Sequence, residues 1–73
     1  MILRDTFLNK IRELNYTLKQ ETKRVHIFRK KGGTHFITVH KTDKLEDEFV
    51  KSALSQAGVP PKEIENFIKQ HNC

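Results

Sequence analysis

Tryptophan is absent from this chain and cysteine occurs once, as Cys73 at the last position. One thiol cannot form an intrachain disulfide or a cysteine metal cluster, so the fold must be held by its core, as in a reducing compartment. Long apolar runs are also missing. The N-terminal MILRDTFLNK is too polar for a signal peptide, and no stretch approaches a membrane-spanning length, so a cytoplasmic protein with no membrane partner is expected.

Glycine occurs three times, as the pair Gly32-Gly33 and as Gly58. That rules out Walker-type and dinucleotide-binding loops, which need several glycines at fixed spacing ahead of a helix. Ser52 and Ser55 fall in a helical pattern without a nucleophile elbow. No carboxylate or thiol stands at ligand spacing from the histidines, so neither a metal nor a cofactor is expected.

What remains is a small charged chain. Its 73 residues allow one domain, 1–73, that buries roughly 60% of the surface its unfolded chain would expose. The composition, 36% hydrophobic beside 32% charged, is that of a chain that folds. Lys and Arg outnumber Asp and Glu by 14 to 9, for a formal charge of +5. Much of the excess lies between Lys19 and Lys31, where Lys19, Lys23, Arg24, Arg29, Lys30 and Lys31 face Glu21 alone. Such a block is the electrostatic footprint of a polyanion ligand, and equally that of a solubilising surface.

Leu3, Phe7, Leu8, Ile11 and Leu14 form one helical stripe, with Asp5 and Thr6 near its start and Asn15 as a stop. Tyr16, Leu18 and Gln20 then alternate, followed by Arg24–Lys30 and Thr34–His40, which predicts three strands. Leu45, Phe49, Val50, Ala53, Leu54 and Ala57 predict a helix capped by Asp43 and closed by Gly58 at C′. A last helix begins at the prolines and buries Ile64, Phe67 and Ile68. The order α-β-β-β-α-α predicts an α+β fold, a three-stranded antiparallel sheet with helices on one face.

Three of the four histidines lie near the central hairpin. A three-residue loop, Lys31-Gly32-Gly33, opposes Phe28 to Phe36, Ile27 to Ile37, His26 to Thr38 and Val25 to Val39. Val25, Ile27, Ile37 and Val39 then face the helices. Arg24, His26, Phe28, Phe36, Thr38 and His40 share the open face. Phe28 and Phe36 would stack bases there, Lys23, Arg24, Arg29, Lys30 and Lys31 would hold phosphates, and His26 and His40 would add imidazole groups, a set suited to single-stranded RNA. His35 falls on the covered side near the turn, as a structural residue.

With these segments placed, the chain resembles the HicA family, also called YcfA-like proteins. The stretches that carry the likeness are HIFRKKGGTHFITVH and FVKSALSQAGVPPKEIENFI, the second through its Gln-Ala-Gly, branched residue and acidic last helix. The resemblance implies a double-stranded-RNA-binding-domain-like fold. It also implies the activity of a type II toxin, an mRNA endonuclease (a hydrolase) held inactive by a cognate HicB-like antitoxin. His26 corresponds to the family's catalytic histidine, with Lys23, Arg24 and Val25 where the family has small residues. The non-enzymatic alternatives are an RNA-binding module on the same fold and a protein-docking module.

Overall fold

The computed structural model describes residues 1–72, and the expectations about Cys73 lie outside the described residues. A two-residue strand, β1 (Ile2–Leu3), leads directly into helix α1 (Arg4–Glu13). The helix buries Phe7, Leu8 and Ile11, as its stripe predicts, while Leu3 stays exposed in β1. Asp5 in its first turn and Lys10 and Arg12 in its last complement the helix dipole. Asn15 ends it in the left-handed region, at φ 70°.

The sheet follows, as β2 (Tyr16–Glu21), β3 (Val25–Lys30) and β4 (Phe36–His40), antiparallel in the order β2-β3-β4. Tyr16 enters the core at 2% exposure. A bulge between Leu18 and Gln20 breaks the expected alternation of β2, so Leu18 opposes Phe28 while Gln20 opposes Ile27 on the other face. Thr22 closes the first hairpin. Its hydroxyl accepts the N–H groups of Arg24 and Val25, and its own N–H donates to the Val25 carbonyl at 2.9 Å.

The second hairpin corrects the expected register. Phe28 opposes Ile37, Ile27 opposes Thr38, His26 opposes Val39 and Val25 opposes His40, one residue away from the pairing predicted from a three-residue loop. The loop holds four residues, Lys31–Thr34, because the Lys30 N–H donates to the His35 carbonyl at 3.0 Å. A tight turn within it joins the Gly33 N–H to the Lys30 carbonyl, and only Gly32 of the glycine pair needs positive φ, at 76°.

One added loop residue turns every β3 side chain to the opposite face relative to β4. Phe28 goes to the core at 1% exposure, beside Ile37 and Val39, and His26 shares that face. Val25 and Ile27 move to the open face and are partly buried there. The β4 assignment stands, with Ile37 and Val39 buried and Phe36, Thr38 and His40 exposed.

Beyond β4 the expected helix start is also displaced. Lys44 and Leu45 form β5 and pair with β1, Ile2 opposite Leu45, so helix α2 runs from Asp47 to Gln56. Asp43 is not its cap; the Asp43 carbonyl instead accepts the Arg4 N–H at 3.0 Å. Gly58, at φ 90°, closes α2 as expected. The Val59 N–H reaches the Leu54 carbonyl and the Gly58 N–H reaches that of Ser55, the paired bonds of a Schellman cap. Helix α3 (Pro61–His71) starts at its proline and buries Ile64, Phe67 and Ile68. Ile2, Phe7, Ile11, Phe28, Val39, Val50 and Leu54 centre the single core between helices and sheet. No helix among the described residues is long and apolar enough to cross a membrane.

Candidate functional site

Two hairpins bring chemistry to one end of the sheet. β2 ends at Glu21 and β3 starts beside His26, its cross-strand partner. Lys41 follows β4 and is tied back to the first hairpin by its N–H, which donates to the Arg24 carbonyl at 2.9 Å. Glu21 therefore lies within reach of both. Lys41 Nζ donates to Glu21 Oε2 at 2.7 Å, and His26 Nδ1 stands 3.6 Å from Glu21 Oε1, within ion-pair range.

The arrangement acts first on Glu21. The hydrogen bond from Lys41, then the charges of Lys41 and His26, hold its carboxyl below the usual range. It acts next on His26, whose side chain is 18% exposed and whose ring lies 6.3 Å from that of Phe28. With Glu21 on the Nδ1 side, Nε2 is the nitrogen left for an outside partner. Lys23 and Arg24 are exposed at the tip of the adjoining hairpin.

The opposite end of the sheet is organised differently. His35 Nδ1 lies 2.6 Å from the Tyr16 hydroxyl and Nε2 lies 3.2 Å from Gln56 Oε1. Gln56 in turn donates to Ser52 Oγ at 3.4 Å. This neutral chain joins β2, the hairpin loop and α2, and burial pushes the Tyr16 hydroxyl pKa up. It is the structural role expected of His35. Ser52 serves the same chain.

The remaining predicted residues divide between the two ends and the open face. Arg29 is on the open face, its Nε donating to the Gly33 carbonyl at 2.8 Å and its guanidinium 5.8 Å from the Phe36 ring. Phe36 is 54% exposed, and Lys30 and Lys31 are exposed at the end of β3 and the start of the loop. His40 is exposed opposite Val25. Phe28 is the residue that moves out of the set, since a ring in the core has no free face for a base. The structure does not bring His26 and His40 together, because they lie on opposite faces.

Glu21 and Lys41 are the two members the sequence reading missed. Their signals were slight but physical: Glu21 is the one acid in a basic block and stands one tight hairpin from His26, whereas Lys41 needs the whole β3–β4 register to place it. Among the described residues no group of three or more His, Cys, Asp or Glu side chains is arranged to hold a metal ion. Comparison with family models, with curated proteins and with solved structures finds no match to this chain. The site is read from its own geometry.

Proposed function

We propose that this chain is an RNA-binding endonuclease that cuts without a metal, using His26 as the group that moves the proton. The observation that carries the reading is the partly exposed His26–Glu21–Lys41 cluster at the Lys23–Arg24 end of a basic sheet. Neutral His26 takes the proton of a ribose 2′-hydroxyl, whose oxygen then bonds to the adjacent phosphorus. The bond from phosphorus to the 5′-oxygen breaks, that oxygen takes a proton from water, and the hydroxide left behind takes the proton held by His26. The products are a 2′,3′-cyclic phosphate and a 5′-hydroxyl end. Lys23 and Arg24 steady the charge that develops on the phosphate, while Arg29, Phe36 and His40, on the face opposite His26, form a separate surface for RNA reached around the sheet edge.

General acid–base help of this kind is worth about 10² to 10⁴ in rate, which suits a slow messenger-RNA toxin rather than a digestive ribonuclease. The likeness to HicA toxins supports that role, with a HicB-like antitoxin as the restraining partner. A second reading, RNA binding without cleavage, is favoured by the limited exposure of His26. Incubation of the purified protein with a long RNA in chelator distinguishes the two. Cyclic-phosphate fragments that disappear in His26→Ala, and on substrates with 2′-deoxyribose at the cut sites, carry the proposal. A salt-sensitive gel shift with intact RNA supports the binder instead.

A further inference from the structure

The two outer strands of the sheet are unlike each other. β2 is interrupted by a bulge and carries Lys19 and Glu21, devices that keep an edge from pairing. β4, Phe36-Ile37-Thr38-Val39-His40, has no bulge, no proline and no Lys, Arg, Asp or Glu. Its outward main chain has a definite phase. The Lys30 N–H bonds the His35 carbonyl and the Lys41 N–H bonds that of Arg24, so residues 35, 37, 39 and 41 turn their main-chain groups toward β3. Phe36, Thr38 and His40 turn theirs to the free edge, and the described residues supply those groups no hydrogen bond.

Beside this edge runs a shallow groove of about 220 Å3 formed by β4 and one face of α2, with Phe36, Thr38, Phe49, Ala53 and Gln56 in its walls. Those residues carry no formal charge. A strand that docks here without cost must likewise be extended and uncharged, and β4 itself meets that description.

We infer that the free edge of β4 pairs antiparallel with β4 of a second copy of this chain, about a two-fold axis at Thr38. The outward set 36, 38 and 40 is symmetric about residue 38, so Thr38 bonds its own counterpart and Phe36 bonds His40 of the other copy with every outward N–H and C=O paired. Ile37 and Val39 stay in the core of each copy, so the seam is made by the main chain and by Phe36, Thr38 and His40 on the open face. Of the cationic block only Arg29 approaches the contact, its guanidinium 5.8 Å from the Phe36 ring and its Nε tied to the Gly33 carbonyl, and Lys41 is paired with Glu21. Because β2 is guarded, each copy offers one pairing edge. The product is a closed six-stranded dimer rather than a fibre. This association stands independently of the RNA reading.

Sedimentation of the intact chain from about 1 µM to about 1 mM tests it, the range in which a contact of this small size saturates. The expected result is a concentration-dependent doubling of mass. In parallel, amide exchange at Phe36, Thr38 and His40 should slow by about tenfold or more between dilute and concentrated protein, while Ile37 and Val39 change little. Thr38→Lys, which sets like charges face to face, and Thr38→Pro, tolerated where a strand's N–H points outward, should both remain monomeric with unchanged helical circular dichroism. A single monomeric species throughout, a dimer that survives both substitutions, or a dimer without protection at those three amides overturns the assignment.

Discussion

His26 and His35 occupy the two ends of the same β-sheet and show how differently one side chain can be used. His26 is held by charge, at a rim where Glu21 lies between it and Lys41. His35 is held by neutral groups, the Tyr16 hydroxyl and the Gln56 amide, in a chain that ties the sheet to α2. A histidine whose two nitrogens are both engaged inside the protein is a piece of architecture. One with a carboxylate against one nitrogen and, among the described residues, no hydrogen-bond partner for the other is the candidate site.

The largest test of this contrast is kinetic. His26→Ala should reduce RNA cleavage by about 10² to 10⁴ while leaving the thermal midpoint within a few degrees of wild type. His35→Ala should do the reverse, with a lower midpoint and cleavage retained at temperatures where it is folded. Equal losses of stability in the two variants would abolish the distinction.

The next effect in size falls on the residue that the register moved into the core. Phe28→Ala should cost about 3 to 5 kcal/mol in denaturant unfolding, because a large ring leaves a cavity among Ile37, Val39 and the helices. The exposed Phe36→Ala should cost much less and should weaken RNA binding instead. Removing the Glu21 contact comes after these. Glu21→Gln should lower cleavage by on the order of tenfold, the loss of one decade that about 1.4 kcal/mol of positioning represents, with little change in RNA affinity.

The smallest effects are protonic and of opposite sense at the two ends. Glu21 has a folded pKa below its ordinary 4.5, so its contact stabilises above about that pH and is lost as the pH falls through the lower folded value. Glu21→Gln should therefore flatten the acid limb of the stability curve. Tyr16 has a folded pKa above its ordinary 10.0, so its contribution is complete below that pH and is lost as the pH rises through the folded value. Tyr16→Phe should flatten the alkaline limb and cost about 1 kcal/mol at neutral pH through the lost bond to His35.

Much of this molecule is legible without coordinates where periodicity is unambiguous. The stripe of Phe7, Leu8 and Ile11, the Gly58 cap and the proline start of α3 all stand where they were expected. So do the faces of β4, in which apolar Ile37 and Val39 alternate with Phe36, Thr38 and His40. In β3, Ile27 and Phe28 are neighbours and both apolar, so alternation supports either face. The number of loop residues decides between them, and that depends on which main-chain groups bond across the turn.

Alternation and spacing by themselves determined the three helices, the three-stranded sheet and the basic block, because each is written in the local order of residues, whereas the partners of His35, Tyr16 and Gln56, come from distant parts of the chain. The tertiary structure decided that Phe28 is core, that His26 and His40 part to opposite faces, and that Glu21 and Lys41 converge on His26. Those outcomes hang on one residue of hairpin register, and a period of two turns a single-residue shift into a change of face for every side chain on the strand.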